Sequence, residues 1–204
     1  MIFKKLATGM LQSNCYIVGD NGEGVIIDPG AAEKEIIDTV NSVGLKIKYI
    51  ILTHAHIDHI ISVDKVRGVL GAKVVVHEKD AEALGDDFYN GSYLFGASEK
   101  FNAADGLLKD GDVLEAGGLK FEIIHTPGHT PGGVCIKTGN SLFTGDTLFR
   151  LSVGRTDLGS GSMGDLLDSL QNRLMTLDDE LVIYPGHGIQ STIGFERTNN
   201  PFLG

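Results

Sequence analysis

Seven His and Asp side chains in this sequence have a spacing that gives them a shared purpose, since both types hold metal ions. Residues 53–59 read Thr-His-Ala-His-Ile-Asp-His. In an extended segment residues i and i+2 project to the same side, so His54 and His56 can grip one ion together. Asp58 and His59 would point apart in a strand, but at the start of a helix both can face a second ion beside the first. His129, Asp146 and His187 follow later in the chain. Seven ligands exceed the needs of one four-coordinate ion and suit two ions if Asp146 bridges them. Imidazole and carboxylate without thiolate fit zinc, with iron or manganese as the alternatives. Two divalent ions about 3.5–4 Å apart would hold a bridging water, lower its pKa towards 7 and polarise a carbonyl oxygen. That chemistry is hydrolysis, with Asp58 and Asp146 as the carboxylates of the catalytic centre. No serine or cysteine stands in a triad-like setting.

Taken singly, each histidine reads as a surface or core residue; the H-x-H-x-D-H run, taken with the later residues, is what argues otherwise. His77 ends a strand with no ligand-like neighbour and reads as structural. His125 precedes His129 by four, but Pro127-Gly128 prevents a helix from placing them on one face. Cys15 and Cys135 lie within strands and read as small buried hydrophobes. Tyr184 ends a strand near His187 and is a candidate for lining the cleft, with core packing as its other reading.

The elements that must position these groups are short. Residues 15–18 and 25–27 are β-rich, the latter ended by Asp28-Pro29-Gly30. Residues 32–43 carry Ile36, Ile37, Val40 and Val43 at helical spacing, with Gly44 as the stop. Residues 47–52 read as a strand buried on both faces, followed by a predicted helix over 59–70 and a strand over 74–76. Residues 85–112 show no sustained period and read as a surface excursion. Leu119, Phe121 and Ile123 alternate with polar residues, and strands follow at 134–137 and 141–144. Ser162-x-x-Asp165 is a capping box opening a helix with Leu166, Leu167, Leu170 and Leu174 on one face. Residues 181–184 are expected to be the last strand. Asp28, the 53–59 run, His129, Asp146 and His187 all sit in loops that follow apolar strands. Strands lying side by side with the same ends together would gather those loops into one cluster. The 85–112 excursion and the 148–162 loop are the expected walls of a groove over it. Helices fall between groups of strands, which predicts a layered α/β fold, and no linker or repeat divides residues 1–204, which predicts one domain.

Composition narrows the function. The chain has 204 residues, 42% hydrophobic and 22% charged, as in globular proteins. Seventeen basic against 27 acidic residues give a net charge of −10, which argues against a nucleic-acid partner. No apolar run approaches the ~18 residues of a membrane span. Residues 1–14 lack an apolar signal core, and two cysteines are too few for a disulfide framework, so the cytoplasm is the expected compartment.

The sequence resembles the metallo-β-lactamase-fold hydrolases, and among them the glyoxalase II-like (hydroxyacylglutathione hydrolase-like) group. The passages that carry the likeness are SNCYIV (13–18), VIIDPG (25–30), THAHIDH (53–59), HTPGHTPGG (125–133), GDTLF (145–149), VGRTDL (153–158), YPGHG (184–188) and TIGFERTNNPFL (192–203). The resemblance implies an αββα sandwich with the metal site at one edge of the sheets. It implies His54, His56 and His129 on one metal, Asp58, His59 and His187 on the second, Asp146 between them, and Asp28 orienting the site. It also implies cleavage of small acyl thioesters such as S-lactoylglutathione by a metal-bridging hydroxide. Three departures stand out. Ile61-Ser62 replaces the usual Gly-Gly after the histidine run. The sequence also stops seventeen residues after His187, so a short form without the C-terminal helical domain that helps bind glutathione is expected. A basic and an aromatic residue of the family fall at Arg155 and Asp157. Arg155 keeps the charge and could pair a leaving-group carboxylate, with an ion pair to Asp157 as its other reading. The rival activities on this fold are a mononuclear iron sulfur dioxygenase, using His54, His129 and Asp146, and hydrolysis of lactones or other esters, phosphodiesters or β-lactams at the same dinuclear site. A non-catalytic protein that keeps its metals for stability is the reading from another class.

Overall fold

The structure is a computed structural model that describes residues 1–203. A first sheet holds, in spatial order, β1 (Ile2–Leu6), β2 (Cys15–Asp20), β3 (Glu23–Ile27), β4 (Lys46–Ile51), β5 (Lys73–His77) and β6 (Gly106–Leu108). β1 to β3 are antiparallel neighbours, whereas β3 to β6 run parallel. A second sheet is built from β7 (Val113–Ala116), β8 (Leu119–His125), β9 (Val134–Thr138) and β10 (Ser141–Gly145). A two-stranded ribbon, β11 (Leu148–Phe149) and β12 (Ser152–Val153), then precedes β13 (Val182–Pro185) and β14 (Ser191–Thr192). The last two join the second sheet in the order β14-β13-β10-β9-β8-β7.

Period-two alternation explains the layering. On β2, Cys15 and Ile17 face the outer helices α1 (Glu33–Val43) and α3 (Val63–Leu70), while Tyr16 and Val18 face the second sheet. On β10, Phe143 joins the inter-sheet core and Leu142 faces the opposite side, against Leu166, Leu170 and Leu174. Both faces of each sheet are therefore apolar and covered, giving the helix–sheet–sheet–helix order expected from the resemblance. Among the described residues no helix is long and apolar enough to cross a membrane.

Several sequence expectations need correction. The helix expected over 59–70 is two: α2 (Ile57–Ile60) and α3, broken at Ile61–Ser62. Ser62 is drawn to the Pro29–Ala31 turn, its N–H donating to Pro29 O at 3.2 Å and its Oγ to Ala31 O at 2.8 Å. These bonds tie the start of α3 to the loop that carries Asp28. The 85–112 excursion contains a 3-10 turn at Ser92–Phe95 and then β6, too short to show alternation. The 181–184 strand is not the last: β14 follows, then α5 (Ile193–Asn199), whose first turn is capped by Thr192 Oγ1 accepting from Phe195 N. The capping box at Ser162 does open α4 (Met163–Asp168), with Asp165 N donating to Ser162 Oγ at 3.3 Å, and the chain continues as a π-helical turn to Leu174.

Candidate metal centre

β3 and β4 run parallel, as do β10 and β13, so the loops at their C-terminal ends meet at one edge of the sandwich. Val134 N donates to Thr53 O at 2.9 Å, joining the ends of the two sheets there. The edge gathers all seven residues singled out in the sequence. His54, His56 and His129 each present one atom within 4.8 Å of the others, and so do Asp58, His59 and His187. Asp146 lies between the sets. Its Oδ1 is 3.3 Å from His59 Nε2, and its Oδ2 is 3.6 Å from both His129 Nε2 and His187 Nε2.

Hydrogen bonds behind the imidazoles fix which nitrogen faces the centre. Thr53 Oγ1 donates to Asp28 Oδ2 at 2.6 Å, so it accepts from His54 Nδ1 at 3.0 Å, which leaves His54 Nε2 bare. His59 Nδ1 donates to Asp28 Oδ2 at 3.0 Å and His129 Nδ1 to Arg155 O at 2.7 Å. The bare His129 Nε2 faces His56 Nδ1 at 2.8 Å, and His59 Nε2 faces His187 Nε2 at 3.2 Å. An oriented imidazole with its second nitrogen tied to a carboxylate or carbonyl is the arrangement that ligating histidines need. Asp28, Thr53 and His54 also make one relay. Asp28 spends both oxygens on Thr53 and His59, so it acts on the centre through them.

The electrostatics call for cations. Burial holds His54 and His56 neutral, His54 well below the ordinary imidazole value and His56 at about 3. Burial also opposes charge on His59, but Asp146 and Asp58 beside it outweigh that and raise its proton affinity well above normal. Burial disfavours the Asp146 anion as well, yet His59 beside it holds its carboxyl well below the carboxylate range. The buried polar atoms left without a hydrogen-bond partner, among the described residues, include His54 Nε2 and Asp146 Oδ1. Buried polar atoms normally find partners, and both of these face the centre. Gly186 completes the cradle, since a Cβ there would overlap Asp146 Oδ1 and lie 2.7 Å from His59 Cε1. The donor set, the orphaned atoms and the charge balance all fit divalent metal.

A sequence profile of the metallo-beta-lactamase superfamily matches residues 8–187. This chain belongs to that superfamily. Among its relatives, the hydroxyacylglutathione hydrolase GloC of Haemophilus influenzae is 33% identical over 94% of this chain and 93% of its own length. The crystal structure of BLEG-1, a B3 metallo-beta-lactamase, matches with a TM-score of 0.94 at 39% identity over 99% of each chain. TTHA1623, solved in a di-iron-bound form, matches with a TM-score of 0.87 at 35% identity, covering 98% of this chain and 100% of its own. Superfamily and His/Asp cluster together support a metal-dependent hydrolase.

Not every residue expected at this superfamily site is there. Tyr184 packs between the sheets, its ring centroid 4.7 Å from Phe3 and 5.4 Å from Phe143, and does not line the cleft. β13 alternates, so Ile183 and Tyr184 must face opposite cores and neither reaches the loop end. Arg155 does border the cleft, but its Nε and Nη2 donate to Asp157 at 2.7 and 2.8 Å. His77 and His125 lie away from the centre and stack on each other, 4.0 Å apart and 5° from parallel.

Other residues support the centre, most of them from the passages that carry the family likeness. Ser13 and Asn14 are buried; Asn14 Nδ2 donates to Pro185 O at 2.8 Å and Gly188 O at 3.1 Å, bracketing His187. Asp80 is 2% exposed and accepts from Thr130 Oγ1 at 2.7 Å and Gly132 N at 2.6 Å, fixing the loop that carries His129. Glu196 accepts from Leu151 N at 2.8 Å, and Asn200 Nδ2 donates to Ser152 O at 3.1 Å, so α5 anchors the β11–β12 ribbon. Two polar residues just before an apolar strand (Ser13-Asn14) were the readable signal; Asp80 carried none.

These supports predict graded losses. Asp28→Asn keeps the side-chain shape and tolerates the left-handed backbone at φ 53°, but removes the charge that His59 and Thr53 donate to. It should weaken metal binding by about 10–100-fold in a chelator competition titration. Asp80→Ala leaves two buried donors unpaired and should cost about 2–4 kcal/mol of stability in a denaturant melt.

Proposed function

We propose that this chain is a dinuclear metal-dependent thioesterase of the glyoxalase II-like kind, with residues 1–204 as one catalytic domain. One ion is held by His54, His56 and His129, the other by Asp58, His59 and His187, with Asp146 shared. The observation that carries the reading is the pair of three-residue sets with Asp146 between them and its Oδ1 unpartnered. When bound, the ions (zinc first, iron or manganese as alternatives) supply a water deprotonated near neutral pH and a Lewis acid for the carbonyl oxygen.

The residues divide the remaining work. Asp28 and Thr53 hold His59 and His54 in the tautomers that leave Nε2 free. Asp58 and Asp146 supply negative charge that a site of two cations needs. Water adds its oxygen to the acyl carbon, the C–S bond breaks, and the thiol departs with the second proton. A thiolate, whose acid has a pKa near about 8.5, leaves without a strong general acid.

GloC's name is a further support for thioester cleavage, and the di-iron form of TTHA1623 for two ions rather than one. A mononuclear centre on His54, His129 and Asp146 would leave Asp58, His59 and His187 converging without a function. Metal-loaded protein assayed on S-lactoylglutathione, a short neutral thioester, a lactone and a cephalosporin should cleave the thioesters fastest. Preference for the lactone or the cephalosporin would replace this reading.

A further inference from the structure

A groove of about 450 Å³ opens directly above the centre, its floor formed by His56, Asp58, His129, Asp146 and His187. Its walls are apolar. Leu94 and Phe95, from the 3-10 turn of the excursion, stand on one side; Phe149 and Val153, from the β11–β12 ribbon, stand on the other. Leu11 closes one end, held at φ 56° in the left-handed region that a side chain with a β-carbon enters only when its surroundings impose it. Leu11, Leu94 and Phe95 are 59%, 49% and 46% exposed, an unusual concentration of uncovered apolar surface beside a charged centre.

The walls are also fixed in place. Asn90, fully buried, donates to Glu99 O at 2.8 Å and accepts from Ser92 N at 2.9 Å, while its carbonyl accepts from Ile57 N at 2.8 Å. The excursion is thereby tied to the helix that carries Asp58. Across the groove, Glu196 and Asn200 hold the ribbon. The one arginine on the groove, among the described residues, has its charge occupied by a two-point contact with Asp157, and no lysine lines it.

We propose that this groove is an acyl-chain subsite, selecting substrates with an uncharged apolar acyl group of medium length and giving no purchase to an anionic leaving group such as glutathione. The proposal rests on the hydrolase reading for its kinetic arm only. Apolar walls gain free energy from each methylene removed from water. The carboxylates of a glutathione moiety, by contrast, would find a single guanidinium on the groove, which they would have to share with Asp157.

The test begins with binding, which needs no turnover. Butanoate, hexanoate and octanoate are titrated calorimetrically into zinc-loaded protein. Kd should fall about two- to fourfold for each added methylene, the scale of one CH2 leaving water. Leu94→Asn and Phe95→Asn should flatten that dependence, whereas Leu107→Asn, exposed on β6 and outside the groove, should preserve it. A flat dependence in the wild type, or one untouched by the groove variants, overturns the proposal. Sedimentation supplies a further check: a dimer that Leu94→Asn dissociates would make the groove a contact between copies and would equally overturn it. The kinetic arm compares butanoyl, hexanoyl and octanoyl thioesters of a neutral thiol with S-lactoylglutathione. kcat/KM rising with acyl length and exceeding that for the glutathione thioester supports the subsite. Chain-length-dependent binding without any thioester cleavage would end the thioesterase reading and keep the subsite. Cleavage indifferent to chain length would end the subsite and keep the thioesterase.

Discussion

Asp146→Ala is expected to be the most damaging single side-chain truncation in this protein. Elemental analysis should find fewer than two ions per chain, and thioester turnover should fall by more than the roughly 10–100-fold that loss of an orienting neighbour costs. The reason is position. Asp146 is the one proposed ligand whose oxygens face both histidine sets, at 3.3 Å and 3.6 Å, and it supplies charge that two adjacent cations require. Its loss would expose each ion to the other as well as removing a contact from each. Loss of His187, at the more open side of the centre, should be milder. His77→Ala and His125→Ala break their mutual stack, the His77 Nδ1 bond from Lys79 N and the His125 Nε2 bond to Pro131 O, but remove no proposed ligand, and should keep both ions. Two ions and near-normal turnover in Asp146→Ala would refute the shared-ligand assignment; loss of metal in either control would mean a ligand has been misread.

Gly186→Ala should approach the same damage without deleting any ligand. The new methyl group would overlap Asp146 Oδ1 and press on His59 Cε1. Neither neighbour can yield: His59 is fully buried and tied to Asp28, and Asp146 is enclosed by histidines. Gly186 N also donates to Gly145 O at 2.7 Å, so the backbone cannot retreat from the residue next to Asp146. The expected result is a folded protein, with far-ultraviolet circular dichroism unchanged, that binds metal weakly and turns over more than about 100-fold more slowly, beyond what the loss of an orienting neighbour costs. Full metal content with normal turnover would show that the centre has slack the packing does not reveal.

Much of this centre was readable because its residues lie at strand ends. Alternation and apolar runs locate strands, and whatever follows a run must emerge at an edge; parallel neighbours then bring the emerging residues together. That logic covers His54, His56, His129, Asp146 and His187, and it requires no side-chain detail. It failed where tertiary contacts overrode local pattern. Val63, Val66 and Leu70 read as one helix with His59, but the pull of Pro29 and Ala31 on Ser62 breaks it. Of the two readings of Tyr184, core packing holds, because strand alternation turns it between the sheets. β6, β14 and α5 are too short to show a period, and β7 emerges only through the turn at Gly117–Gly118, both at positive φ. Asp80 looked like any surface acid, because only the folded chain brings buried donors to it.

Metal stoichiometry coupled to turnover tests the central claim most directly. Protein stripped with a chelator and freed of it is titrated with zinc while hydrolysis of a neutral acyl thioester is followed. The account predicts little turnover up to one equivalent, a rise as the second ion binds, and a plateau at two ions per chain. Full turnover at one equivalent, or a single iron supporting oxygen consumption in place of hydrolysis, would contradict it.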